Sequence, residues 1–190
     1  MANTNERRIR PALKWPGGKY RVLRHILPHL PASTRLVEPF AGAAAVSINS
    51  GFRRLTWNDN NADLMNFYRQ VKKGGDEFIG RASCLFTGAH NTADNYYSLR
   101  DEFNSSDDTI RKAEIFLYLN RHGFNGLCRY NGSGGFNVPF GQYKRPYFPE
   151  TELRYLAKRC KSVRLECGDF ERTLRRCRAG DVAYCDPPYV

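Results

Sequence analysis

The sequence lacks features that define whole classes of protein. It has no stretch of eighteen apolar residues, so no segment is suited to cross a membrane as a helix. Its first fifteen residues are basic but lack the apolar region of a secretory signal, so we expect a cytoplasmic protein. None of its six cysteines forms a Cys-x-x-Cys pair, and Pro28 interrupts the helix that would align His25 with His29. Neither a disulfide framework nor a metal site is expected.

Acidic residues are fewer than basic ones, and one long segment contains none. The formal net charge is +11, and no Asp or Glu occurs between Arg121 and Pro149. This basic aromatic segment interleaves four cations with seven rings: Arg121, Arg129, Lys144 and Arg145 with Phe124, Tyr130, Phe136, Phe140, Tyr143, Tyr147 and Phe148. Cations bind phosphates and aromatic rings stack on bases, so the pattern predicts a nucleic-acid partner.

Strand-like and helix-like segments alternate in the first and last parts of the chain. The predicted order is strand 34–40, helix 43–49, strand 53–59, helix 62–72, then helix 150–160, strand 162–167, helix 170–177 and strand 181–185. A further short helix over 17–27 precedes them, with Val22 and Leu23 on its apolar side. This alternation is typical of a parallel sheet covered by helices, the nucleotide-binding type of α/β fold.

The middle of the chain breaks the alternation. Residues 76–86, 94–103 and 107–122 show helical patterns, and a long Gly- and Pro-rich loop follows, with a hairpin tip predicted at 131–135. Loops of this length in a compact domain are usually functional. We therefore predict two domains, one formed by 1–74 and 150–190 and the other by the inserted residues 75–149.

Two motifs favour an adenosine-containing ligand. In LVEPFAGAAAV, a strand, a turn at Gly42 and a helix of small residues meet at the carboxyl edge of the sheet, where α/β folds bind nucleotides. Close packing of helix on strand explains this turn equally well. Asp59 ends the next strand at the spacing of a ribose-binding carboxylate, although a lone Asp there is more often a helix N-cap.

Two further stretches add candidate binding groups. LKWPGGK supplies an aromatic face at Trp15, exposed backbone at Gly17 and a cation at Lys19. ECGDF ends a strand with Asp169 and Phe170, an acceptor and a ring suited to the amine and the face of a purine.

The motif Asp186-Pro187-Pro188-Tyr189 closes the last predicted strand. Each proline disfavours helical backbone in the preceding residue, so Asp186 and Pro187 are expected to be extended and to present a carboxylate and a carbonyl. Two acceptors on the hydrogens of an exocyclic amine would localise the nitrogen lone pair and make it nucleophilic. Tyr189 would stack on the base. We interpret the motif as an amine-activating site, in preference to a simple turn.

These motifs together resemble the Dam-type DNA adenine-N6 methyltransferases, which methylate GATC. The resemblance rests on ALKWPGGK, VEPFAGAAAV, WNDN, RHGFNGLCRYN, GFNVPFGQYKRPYFPE and YCDPPY, in matching order from about residue 12 to residue 189. It implies a Rossmann-like S-adenosylmethionine-dependent sheet with an inserted, mostly helical target-recognition domain and a β-hairpin loop. It also implies S-adenosyl-L-methionine as methyl donor, double-stranded DNA as substrate, and flipping of the target adenine out of the duplex.

The resemblance implies roles for individual residues. The implied cofactor residues are Trp15, Gly17, Lys19, Phe40, Asp59, Asp169, Phe170 and Asp186, and the implied catalytic residues are Asp186, Pro187 and Tyr189. The implied DNA-binding residues are Lys14, Phe124, Asn125, Leu127, Arg129 and Pro139, with Arg129 reading a guanine edge. Two positions depart from the family: Phe124 stands where Tyr is usual, and Ala44 where a second glycine is usual.

Other interpretations stay open at this point. The family ordinarily continues for several elements beyond this motif, so we expect this chain, as a fragment or truncated product, to be poorly stable or poorly active alone. A catalytically impaired DNA-binding remnant is the main alternative, and methylation of an amine in RNA or protein is a weaker one. The sequence is compatible with an orphan regulator, a phage gene or one half of a restriction–modification pair, and it does not indicate an oligomeric partner.

Overall fold

The computed structural model describes residues 8–188, which form a four-stranded parallel sheet packed with helices. The strands are β1 (Arg35–Glu38), β2 (Arg54–Asp59), β3 (Val163–Cys167) and β4 (Val182–Ala183). The helices are α1 (Leu23–Ile26), α2 (Ala45–Ile48), α3 (Ala62–Ser83), α4 (Ala93–Ser105), α5 (Thr109–His122), α6 (Glu150–Cys160) and α7 (Phe170–Leu174). The mixed α/β class predicted from the alternation is confirmed.

The sheet order is β3-β2-β1-β4, with every neighbouring pair parallel. Successive strands therefore run outward from β1 to β3, and the chain then crosses back to place β4 on the other side of β1. Ligands of open α/β sheets bind at such a reversal of strand order, outside the carboxyl ends of the strands. Here that position is the crevice between the ends of β1 and β4.

Several predicted boundaries change because prolines and glycines interrupt the backbone pattern. The helix predicted over 17–27 is a 3₁₀ turn at Lys19–Val22, the short α1, and a second 3₁₀ turn at Leu27–His29. Val22 is exposed, so its predicted place on the apolar side is wrong, because the tighter turn rotates it away from the buried Leu23. The last strand, Val182–Ala183, is shorter than the predicted 181–185, although Tyr184 N still donates to Val37 O at 2.9 Å.

α3 is interrupted where the glycine pair predicts a stop. Gly75 has φ 49° and ψ −125°, outside the helical region, although the chain continues as helix to Ser83. Phe67 from the first part of α3 packs against Phe78 from the second, with ring centroids 6.0 Å apart. The two parts of α3 on either side of the kink therefore pack against each other through aromatic side chains.

One cluster of buried side chains joins the sheet to the middle of the chain. It includes Leu36 and Trp57 of the sheet together with Tyr96 of α4 and Phe116 of α5. α5 packs along α3, and beyond α5 the chain forms an irregular segment with the predicted turn at 131–135, flanked by an antiparallel bridge between Tyr130 and Phe136. The division into two domains stays a prediction.

No helix within residues 8–188 is both long enough and apolar enough to cross a bilayer.

Candidate active site and nucleic-acid interface

The Asp186 carboxylate lies just beyond β4 and is paired with a lysine from the start of the chain. Lys19 Nζ is 2.6 Å from Asp186 Oδ2, and the same ammonium donates to the Gly17 carbonyl at 2.8 Å. Both charged side chains remain about one-fifth exposed (20% for Lys19 and 23% for Asp186), so the pair is open to a ligand. The structure thus brings together two motifs that the sequence singled out separately, LKWPGGK and the one that contains Asp186. Of the predicted catalytic residues, Pro187 is exposed beside Asp186, and Tyr189 lies outside the described residues.

The turn after β1 is shaped by the indole of Trp15. Gly42 has φ 47°, and a Cβ atom at this position would lie 2.8 Å from both Cδ1 and Nε1 of the Trp15 ring. Only glycine fits, because any side chain would collide with the indole. The close approach at Gly42 is made by Trp15. Packing of helix on strand was one of the two explanations that the sequence left open. Ala44, at φ 53°, adopts the same left-handed region without being glycine.

Asp59 is fixed by two backbone donors. Its Oδ2 accepts from Gly42 N at 3.0 Å, and its Oδ1 accepts from Asn61 N at 3.0 Å. Asn61 itself caps α3 by accepting from Leu64 N at 2.9 Å, so Asp59 is not the helix cap that its position alone suggests. The buried Tyr68 hydroxyl donates to Gly42 O at 2.6 Å and holds the turn from below. The two features that the sequence singled out at this edge, the glycine turn and the carboxylate, are therefore in direct contact.

An aromatic pair and an acidic cap lie at the ends of β1 and β3. The Phe40 and Phe170 ring centroids are 4.9 Å apart with planes tilted by 34°, and Phe170 is exposed. Asp169 caps α7, with Oδ1 accepting from Glu171 N at 2.7 Å. One Asp169 carboxylate oxygen is therefore used by the helix.

Asn58 was not singled out by the sequence, yet it ties these strand ends together. Its side-chain Nδ2 donates to Pro39 O at 3.0 Å and to Gly168 O at 2.9 Å. Both contacts span more than 15 residues of sequence, so no local pattern indicates them.

Glu38 is a second group that the sequence analysis missed. It is the last residue of β1, is 2% exposed, and accepts a hydrogen bond from the Ser47 hydroxyl. Burial raises the pKa of Glu38 to about 8; the hydrogen bonds from Ser47 oppose this shift, and the negative charge of Asp186 adds to it. A glutamate that directly follows two apolar residues at the end of a strand is the signal that would have identified it.

The predicted DNA-binding residues gather on a surface formed by the start of the chain and the segment after α5. Phe124 N donates to Pro139 O at 2.9 Å, and Phe124 is 49% exposed. The Arg129 guanidinium is oriented by Asn137, with Nε donating to its Oδ1 at 2.9 Å and Nη2 to its backbone O at 3.1 Å. Arg129 nevertheless stays exposed and able to reach a partner.

Lys14 packs against the same surface. A Cβ atom at Gly126 would lie 2.4 Å from Lys14 Cβ, so the loop backbone touches the lysine stem. The ammonium lies 4.3 Å from the centroid of the Tyr143 ring. Burial, and then the charge of Arg121, lowers the pKa of Lys14. Asn125 is exposed with φ 52°, and Leu127 is half-buried beside it.

Within residues 8–188, no three His, Cys, Asp or Glu side chains are grouped as ligands for a metal ion.

The chain matches one protein-family model and several known proteins. The family model for D12 class N6 adenine-specific DNA methyltransferases matches residues 15–190. The chain is 48% identical over 181 residues to a DNA adenine methylase from Serratia marcescens, covering 95% of this chain and 67% of that protein. Identity to the DNA adenine methylase of Escherichia coli strain K12 is 49%, covering 95% and 65%. For the same protein from Vibrio cholerae O395 it is 46%, again covering 95% and 65%.

The chain belongs to the D12 class family of N6 adenine-specific DNA methyltransferases. It spans about two thirds of the length of the curated relatives that it matches.

Proposed function

We propose that this protein transfers a methyl group from S-adenosyl-L-methionine to N6 of adenine in double-stranded DNA, at GATC, in the bacterial cytoplasm. The observation that carries this proposal is the Lys19–Asp186 pair at the reversal of strand order, next to the turn where Asp59 holds Gly42. The family relationship supports the reaction, and the relatives' printed name, DNA adenine methylase, supports the substrate.

The residues at the carboxyl ends of the strands have the chemistry that S-adenosylmethionine requires. Asp59 is oriented by two backbone N–H groups and offers its remaining lone pairs to ribose hydroxyls. Phe40 and Phe170 offer faces to an adenine ring. Trp15 covers the glycine turn, and the Lys19 ammonium, beside Asp186, would attract the carboxylate of the cofactor. The residues present fit the cofactor, which supplies the methyl group when bound.

Asp186 and the backbone carbonyl of Pro187 would act on the target amine. The adenine amino group is a poor nucleophile because its lone pair is delocalised into the ring. Two acceptors on its hydrogens favour the tetrahedral nitrogen, and the Asp186 carboxylate would stabilise the positive charge that develops there. Lys19 fixes the Asp186 side chain by the 2.6 Å ion pair. Holding the amine in line with the methyl donor would supply much of the acceleration.

The exposed surface around Phe124 suits a duplex from which one base has been removed. Unstacking one base costs on the order of a few kcal/mol, which an inserted ring offsets. Phe124 is exposed in the first turn after α5. Arg129, exposed further along the same segment, and Lys14, packed against Gly126, are candidate readers of base edges. Phe124 lacks the hydroxyl that the family usually carries at this position.

Transfer of radiolabelled methyl groups to a GATC duplex tests the proposal. We expect labelling of GATC and not of GTTC, and a loss of at least about a hundredfold in Asp186→Ala, the scale seen when a charge-stabilising group is removed. Asp101→Ala, which removes an exposed carboxylate from α4, is the matched control and should label normally. Equal labelling by Asp186→Ala would contradict the assignment. Binding of GATC without any transfer would instead favour the DNA-binding remnant.

A further inference from the structure

Two asparagines hold the start of the chain by the same pair of hydrogen bonds. Ile9 N donates to Asn49 Oδ1 at 2.8 Å, and Asn49 Nδ2 donates to Ile9 O at 2.9 Å. Likewise Lys14 N donates to Asn120 Oδ1 at 2.9 Å, and Asn120 Nδ2 donates to Lys14 O at 2.7 Å. Each carboxamide thus satisfies both backbone groups of one residue, across 40 positions of sequence in the first case and 106 in the second.

The Asn120 side chain differs from that of Asn49 in where it lies. It is 2% exposed, in the last turn of α5, directly before the loop that carries Phe124. Its Nδ2 also donates to Gly126 O, at 3.4 Å. One buried amide group therefore contacts both the backbone of Lys14 and the backbone of the loop. Because the site is buried, water cannot replace these bonds when they are lost.

The Lys14 side chain is confined from two further directions. Its stem lies against Gly126, where even one added carbon would overlap it. Its ammonium sits over the Tyr143 ring, and the Tyr143 hydroxyl accepts from Asn125 N at 3.0 Å. The backbone bonds to Asn120 complete this set, because they fix the point from which the side chain starts.

We propose that Asn120 is a specificity-determining positioning residue, which sets the place of Lys14 relative to the loop that carries Phe124 and Asn125. This proposal rests on the proposed function, in which Lys14 faces DNA. Reading a base edge requires a donor within hydrogen-bond range, so a shift of the Lys14 backbone removes discrimination more readily than it removes attraction to phosphate. Asn120 itself does not touch DNA.

The hydrogen bonds of the Asn120 carboxamide determine which substitution tests the proposal. Aspartate has nearly the shape of asparagine but no N–H, so Asn120→Asp turns both contacts with the carbonyls of Lys14 and Gly126 into repulsions between oxygens. Asn49→Asp makes the same change against the carbonyls of Ile9 and Ala45. Asn49 follows α2 and holds the same N-terminal segment at Ile9, away from the loop. It is therefore the matched control for general loosening of the segment. Asn120→Ser provides a second, uncharged test, because its side chain is too short to bridge both groups.

The measurement is the ratio of dissociation constants for a GATC duplex and for duplexes with one base pair of the site replaced. Fluorescence anisotropy with S-adenosylhomocysteine present gives this ratio without requiring turnover. We expect both Asn120 variants to lower discrimination by about tenfold at one base pair or more. Asn49→Asp should stay within about twofold of the unsubstituted protein.

A purely structural role predicts a different result, because partial unfolding lowers the active fraction equally for every duplex and leaves the ratio unchanged. An unchanged ratio in the Asn120 variants, or an equal loss in Asn49→Asp, overturns the proposal. If Asn120→Asp does not fold by circular dichroism, the ratio for Asn120→Ser decides. Absence of any GATC preference in the unsubstituted protein contradicts the proposed function itself, which separates the two failures.

Discussion

Replacing Glu38 by glutamine removes one buried titration and leaves the rest of the site in place. Glutamine keeps an oxygen that can accept from the Ser47 hydroxyl, and it is nearly isosteric with glutamate. Its amide stays neutral at every pH, whereas the pKa of Glu38 is raised from 4.5 to about 8 by burial. Comparison of the two proteins over pH therefore isolates the ionisation of one carboxyl group.

The direction and the size of this pH effect on stability follow from the coupling of proton binding to folding. Because folding raises the pKa of Glu38, the stability contributed by its protonated form is fully present below pH 4.5 and is lost as the pH rises through about 8. At about 1.4 kcal/mol per pH unit, this interval gives an upper value of about 5 kcal/mol. For a chain of this size, the midpoint of thermal unfolding should change by about 10–20 °C.

Thermal or urea unfolding at pH 5, 7 and 9 measures the effect. We expect Glu38→Gln to gain stability relative to the unsubstituted protein as the pH rises, with most of the gain between pH 5 and 8. Burial lowers the pKa of His122 to about 4, so His122 acts in the opposite direction, losing stability as the pH falls from 6.5. It is present in both proteins and cancels in the difference. A difference that stays constant from pH 5 to 9 would refute the reasoning.

Three further substitutions test the neighbouring contacts. Gly42→Ala should weaken binding of S-adenosylhomocysteine by at least about tenfold in calorimetry, because its methyl group displaces Trp15; an unchanged affinity would contradict the proposed role of the turn. Tyr68→Phe leaves the Gly42 carbonyl without its buried donor and should lower the free energy of unfolding by about 1–2 kcal/mol; a loss below about 0.3 kcal/mol would show that the bond is dispensable. Lys19→Gln removes the ion pair with Asp186 and should slow methyl transfer to GATC by about tenfold or more, whereas Lys161→Gln, at an exposed position after α6, should not. Equal rates for the two lysine variants would argue against a role for the pair.

Local patterns predicted the elements because periodicity and breaker residues act over a few positions. The helix over 150–160 has the observed bounds, and the glycine pair at 74–75 interrupts α3 where a stop was predicted. The predicted strands at 34–40 and 53–59 contain β1 and β2. Failures occurred where backbone constraints compete with side-chain pattern, as in the 3₁₀ turns on either side of α1.

For the site, the sequence supplied the groups but not their partners. The motifs containing Lys19, Gly42, Asp59 and Asp186 were each recognisable from residue type and spacing. That Lys19 pairs with Asp186 across the crevice, and that Asp59 accepts from Gly42, depends on contacts between distant segments. The roles proposed for these residues are predictions that the experiments above test, and the division into two domains also stays a prediction.

By itself, the sequence determined the class of fold, the family and the chemistry of the binding groups. These features depend on residue type and on the backbone preferences of residues that are neighbours in the sequence. Only the tertiary structure decided the strand order that places β4 beside β1, the burial of Glu38, and the hydrogen bonds between Asn120 and the backbone of Lys14. The physical reason is that a hydrogen bond or a desolvated charge depends on which atoms meet in space. Residues 106 positions apart leave no periodic trace of that meeting.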